Sequence, residues 1–112
     1  MSEIQRVIEE SVPGKQVTIA HVIASPISEV YECLGIDELG AIGILTLSPF
    51  ETSIIAADIA AKAASVQVGF LDRFTGSVII AGDVDSVETA LRAVCETLRR
   101  VLGFTVPDIT KT

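Results

Sequence analysis

Tryptophan is absent from this chain of 112 residues, which has one tyrosine and four phenylalanines. A core of this size must therefore be built from Ile, Val, Leu and Ala. Histidine occurs once, as His21, so a Ser-His-Asp or Cys-His hydrolase has a single candidate base, inside a strand-like stretch. A metal site, which needs three or four ligands, is equally short of donors, and no cofactor is expected. The two cysteines, Cys33 and Cys95, lie outside any Cys-x-x-Cys pair and read as small buried hydrophobes in a reducing compartment. Basic residues are scarce: 8 Lys+Arg stand against 15 Asp+Glu, a net charge of −7. That balance opposes the phosphate contacts on which nucleic-acid binding depends, and it disfavours anionic membrane surfaces as well. The longest stretches free of charge, residues 16–28 and 39–50, fall short of the roughly 20 apolar residues a spanning helix needs. No basic segment followed by an apolar one opens the sequence, so the protein is expected in the cytosol. Linkers, repeats and low-complexity tracts are not seen, which leaves a single domain.

Three helix starts can be read from chemistry. In Ser25-Pro26-Ile27-Ser28 the serine suits an N-cap and the proline a first helical position, with Gly35 as the stop. Ser48-Pro49-Phe50-Glu51 adds a glutamate placed for a capping box, ahead of a run rich in alanine from Ala56 to Ala64. Asp83 caps a third helix of about five turns, in which Val87, Leu91, Val94, Leu98 and Val101 share a face and Gly103 ends the run. Between them, residues 16–23, 41–47, 66–71 and 77–81 carry Val, Ile and Thr in strand-like runs. The last two are joined by Asp72-Arg73-Phe74-Thr75-Gly76, which reads as a hairpin loop. The expected class is α+β, a mixed sheet with helices packed on it.

The alanines of the second helix fall all round it, so neighbouring backbones must approach on more than one side. Half the chain is apolar by residue type (49%), and the mean hydropathy of +0.56 is high for a monomer of this size. Both point to an obligate oligomer. Carboxylate pairs such as Asp83/Asp85 and Glu9/Glu10 read as capping and solvated groups. Gly40 and Gly43 do not form a phosphate-binding loop. The residues offer no catalytic constellation, and the protein is expected not to be an enzyme.

The stretch AIGILTLSPFETSIIAADIAAKAASVQVGFLDRFTGSVIIAGDVDSVETALRAVCETL (residues 41–98) resembles the body of a bacterial microcompartment shell domain, a ferredoxin-like-related fold. It has a Gly-Ile strand, a small-residue helix ending in Lys-Ala-Ala-x-Val, a Val-Gly-aromatic strand, a hairpin, then Gly-Asp-Val and a long helix. The closing His-Val-Ile-x-x-Pro pattern of the usual domain stands near the start here, as His21-Val22-Ile23-Ala24-Ser25-Pro26. The chain is thus similar to the circularly permuted branch, the minor shell proteins of ethanolamine- and propanediol-utilisation compartments. Residues 12–21 and 69–76 are close to that branch's signatures.

The resemblance implies a homohexameric ring that tiles with other shell proteins around encapsulated metabolic enzymes. It divides the chain into an arm, residues 1–12, and a single permuted domain, residues 13–112. The arm is implied to supply one strand of a barrel on the six-fold axis, with Ile4, Arg6 and Ile8 near it. The spacing of Ile4, Val7 and Ile8, and of Ser2 with Gln5, is helical; six strands closing without an edge outweigh a marginal short helix. Arg73, Phe74 and Thr75 of the hairpin are implied to approach the pore. Lys62, with Ser25 and His21, falls at the edge between rings, although Ser25 stands where the usual domain has arginine. The hairpin is also about two residues shorter than usual. Gly40, at the head of a strand, is a candidate backbone hinge. From the residues alone, a metabolite-sensing α+β oligomer and a small-molecule enzyme working at a subunit cleft remain as rival readings.

Overall fold

The computed structural model describes residues 14–112. The arm, with Ile4, Arg6, Ile8 and the Ser2/Gln5 pattern, lies outside the described residues. Five strands and three helices follow: β1 (Gln16–Ile23), α1 (Ser28–Leu34), β2 (Ala41–Ser48), α2 (Thr52–Ala63), β3 (Gln67–Asp72), β4 (Ser77–Gly82), α3 (Val84–Leu102) and β5 (Thr110–Lys111). The sheet order is β3-β4-β2-β1-β5. Neighbours are antiparallel except β5, which lies parallel to β1, so the sheet is mixed as expected. The sequence reading had no strand in the tail; β5 is too short to show a periodic pattern.

The helix signals differ in how well they translate. Asp83 accepts a hydrogen bond from the Ser86 N–H at 2.9 Å and opens α3 as an N-cap, which satisfies one of the orphan amides of the first turn. α1 begins at Ser28 with Ile27 at its N-cap, so Ser25 and Pro26 precede the helix instead of capping it. Its end is as expected: Gly35 is left-handed and the N–H groups of Gly35 and Ile36 return to the Tyr31 carbonyl, closing the last turn. Ser48 is the last residue of β2 and makes no capping box with Glu51. The chain enters α2 through tight turns, with Thr52, Ser53 and Ile54 donating to the carbonyls of Pro49, Phe50 and Glu51, and those bonds do the work assigned to the box.

α2 and α3 cover one face of the sheet. Val17, Ala20 and Val22 of β1, Ala41, Leu45 and Leu47 of β2 and Val78 and Ile80 of β4 are buried against Ala56, Ala60, Val87, Leu91, Val94 and Leu98. Val101, expected on the same seam, is 63% exposed, because the seam ends one turn earlier at Leu98, where the Phe104 N–H bonds back to the Leu98 carbonyl. α2 buries Thr52, Ser53, Ala56, Ala57 and Ala60 on one side while Ile54 and Ile55 stay exposed on another. Within one protomer, then, only half of its apolar circumference is used.

Candidate functional site

The three residues assigned to the pore sit together at the tip of the β3–β4 hairpin. The Asp72 carboxylate accepts from the Phe74 N–H at 2.9 Å, and the Gly76 N–H donates to the Asp72 carbonyl at 2.9 Å. The first of these bonds, helped by the Thr75 hydroxyl, holds the Asp72 carboxyl below its ordinary value. The Thr75 hydroxyl also lies 3.1 Å from Ser77 Oγ. Phe74 is thereby fixed, 72% exposed as a residue, with the Arg73 guanidinium 4.9 Å from the ring centroid. A guanidinium over an aromatic face is attractive at this distance.

His21 is held by the chain's own C-terminus. Its Nδ1 lies 2.6 Å from the Thr110 hydroxyl and its Nε2 2.8 Å from the Thr112 hydroxyl. The Thr112 N–H donates to the Val22 carbonyl, the Ala24 N–H donates to the Thr112 carbonyl, and Lys111 Nζ donates to Glu88 Oε2 at 2.7 Å. That last bond keeps the Glu88 carboxyl below its ordinary value. Ser25 follows directly in the bend after β1. Lys62, on the last turn of α2, is exposed and pairs with Asp58 at 2.7 Å. Because α2 packs on α3, β2, β3 and β4, a single protomer does not bring Lys62 to His21 and Ser25. The clamp of Thr110, Lys111 and Thr112 was missed in the sequence, although alternation in Thr-Lys-Thr places both hydroxyls on one side of a strand.

The sheet face opposite α2 and α3 is largely bare. Register places His21, Ile44, Ile79 and Phe70 in one row across β1, β2, β4 and β3, and directly paired residues share a face. At one end α1 overhangs this row, leaving a groove of about 340 Å³ lined by Ile23, Val30, Leu34, Ile42, Ile44 and Ile79, with Glu29 as its charged residue. Cys33 also lines it and is exposed, contrary to the expectation that both cysteines are buried: α1 turns it toward the groove instead of a packed core. Cys95 is buried as expected, and burial raises its thiol pKa. Gly40 has φ +119°, a conformation that side chains rarely adopt. Among the described residues no group of three His, Cys, Asp or Glu side chains is placed to hold a metal ion, and no helix is long and apolar enough to cross a membrane.

A family described as the BMC domain matches residues 41–109. The chain is 58% identical to the bacterial microcompartment shell protein CutR of Streptococcus intermedius, over 99% of this chain and 96% of that protein. It is 55% identical to the shell protein PduU of Salmonella typhimurium over 96% of this chain and 93% of that protein, and 52% identical to the shell protein EutS of the same organism over 96% of each. Among solved structures, a flat hexamer of CutR superposes with a TM-score of 0.87 at 57% identity, covering 91% of this chain and 94% of that one. A screw form of CutR with a 41.9 Å pitch superposes with a TM-score of 0.86 at 57% identity, covering 89% of this chain and all of that one.

Proposed function

The chain belongs to the BMC-domain family, and from that premise we propose that it is a structural tile of a bacterial microcompartment shell: six copies form a ring, and rings join other shell proteins to enclose metabolic enzymes. The observation that carries this reading is the near full-length likeness to the flat hexamer. The bare apolar face agrees with it, since a sheet face of Ile44, Ile79 and Phe70 left in water is unfavourable at roughly 25 cal/mol per Å². The tile works by covering area, without catalysis.

The permuted order has geometric support. The family match begins at β2, yet β1, which precedes it, is β2's neighbour in the sheet. The chain leaving α3 returns beside the start of β1: the Val17 N–H donates to the Thr105 carbonyl, and the Thr105 N–H donates to the Lys15 carbonyl. Joining those points would give the order in which the strand closes the domain. In this reading Lys62, Ser25 and His21 lie at the ring's outer edge, the hairpin tip lies toward the axis, and residues 1–12 cap that axis.

Native mass spectrometry of the whole protein should show six chains of 11.8 kDa, about 71 kDa, and co-expression with other shell proteins should give sheets or closed bodies by electron microscopy. A trimer or tetramer would return the metabolite-sensing reading. Deleting residues 1–11 should leave the hexamer and open a channel on its axis; loss of the hexamer would show that the arm builds the ring.

A further inference from the structure

The three helices end differently. α1 and α3 are closed by the left-handed glycines Gly35 and Gly103, whose N–H groups return to the last turn. α2 instead runs out through Ala64 in an extended conformation, and among the described residues no N–H from beyond the helix returns to the carbonyls of its last turn. Those carbonyls keep their capacity to accept, and the helix dipole adds negative charge around them. Beside them is a hollow of about 530 Å³, lined in part by Ala61, Ala64, Ser65, Gln67, Gly82 and Asp83. Lys62 is the cation of this end, yet it does not serve it. Its Nζ lies 2.7 Å from Asp58 Oδ2, one turn nearer the helix start, with the two side chains 75% and 58% exposed. An acidic residue four positions ahead of a lysine is the favourable order for such a pair, and side chains on a helix lean toward its start. The ammonium is thus drawn back along α2, away from the open end.

Resting on the reading that Lys62 lies at the ring's outer edge, we propose that Asp58 restrains tiling: it holds the ammonium of its own chain, and this pair must open before Lys62 can reach a second ring. A two-fold contact between rings brings the same residues of both copies together, so each edge opens two pairs and a fully surrounded ring opens all six of its own. An exposed pair at this spacing favours the closed form about twofold. Alone that is slight. Multiplied over the pairs of one ring it is on the order of tenfold to a hundredfold, enough to decide the concentration at which rings join. Asp58 is thereby a positioning residue, acting through Lys62 and not on the neighbour itself.

The test compares full-length Asp58→Asn, Asp58→Glu and Glu32→Gln with the parent, by light scattering and electron microscopy of the purified protein over a range of concentrations. Native mass spectrometry and circular dichroism confirm hexamer and fold in each. Asp58→Asn removes the acceptor's charge at nearly constant size and should form sheets at a concentration roughly tenfold or more below the parent's. Asp58→Glu keeps a carboxylate four positions ahead of Lys62 and should tile as the parent does. Glu32→Gln removes one negative charge from an exposed position on α1 and should also tile as the parent does, which separates the pair from a general fall in repulsion between acidic rings. Sheets from Asp58→Asn at no lower concentration than the parent, or an equal gain in Glu32→Gln, would overturn the proposal. Parental tiling by Lys62→Asp would overturn the edge reading instead.

Discussion

The two faces of the sheet are built from the same residue types and end in opposite states. On the covered face Leu45, Leu47, Val78 and Ile80 are all but inaccessible beneath α2 and α3; on the other, Ile19 and Phe70 are nearly half exposed and Ile44 and Ile79 are partly so. Composition alone does not separate them. The difference lies in helix supply, since two long helices pack on one face and only the seven-residue α1 overhangs the other. The covered face therefore holds the fold of one chain together, while the bare face adds little to it and stays open to a neighbour.

The sharpest way to break that division is at the centre of the covered face. Leu91 is fully buried between α3 and the sheet, and Leu91→Ala should cost about 2–5 kcal/mol through lost burial and a residual cavity. Chemical denaturation should show the whole domain losing stability, hexamer included. A variant that kept its stability but lost the ring would reverse the roles assigned to the two faces.

Gly40 comes next, at the junction between the β1–α1 part and β2. A side chain there has room, with an added Cβ no nearer than 3.5 Å to the Gly82 carbonyl oxygen, but φ is +119°. Gly40→Val is expected to cost about 1–3 kcal/mol of backbone strain. As a hinge between α1 and β2, Gly40 should also bear on the shape of the ring, and the variant ring should differ in planarity from the parent. Electron microscopy of the two rings decides this; unchanged geometry would leave Gly40 as an ordinary turn.

Asp83→Ala removes the cap of α3 and should lower Tm by a few degrees while sparing the ring. The Asp83 carboxyl is held below its usual 3.8, first by the Ser86 N–H and then by the Ser86 hydroxyl. A carboxyl with a depressed folded pKa contributes stability above its unfolded pKa and loses it as pH falls through the folded value. The gap in Tm between parent and variant should therefore be full at neutral pH and close below about pH 4. A constant gap across that range would exclude the cap as its source.

The legible parts of the sequence were those where one residue's chemistry is sufficient. Asp83 as a cap, Gly35 and Gly103 as stops, the hairpin and the α3 seam from Val87 to Leu98 all depend on neighbours within a few positions. Ser25 and Ser48 carry the same chemistry as Asp83 but do not cap: pairing with Gln16 across β1 and β2 claims Ser48, and Ser25 stands two residues before the Ile27 N-cap. The β5 clamp on His21 spans some 90 residues of separation, and no local pattern announces a contact of that range. Of the candidate site, the grouping of Arg73, Phe74 and Thr75 was readable as a loop, whereas the bare row exists only once the register of four strands is known.

The smallest effect on the fold is expected where neither face is involved. Lys62 projects from the last turn of α2, its side chain 75% exposed, with Asp58 one turn back as its only ion-pair partner among the described residues. An exposed pair of this spacing contributes about 0.3–0.5 kcal/mol, so Lys62→Asp should leave Tm and the hexamer almost unchanged. A two-fold contact between rings would place Lys62 of one copy near the same residue of another, where its apolar stem can lie along the neighbour while the ammonium donates to carbonyls there. With serine at position 25, where the usual domain has arginine, little else at this edge can supply that donor, and the substitution should abolish incorporation into sheets or shells. Electron microscopy of co-expressed shell proteins measures it directly. Tiling at parental levels, with the hexamer intact, would move the edge contact to another part of the rim.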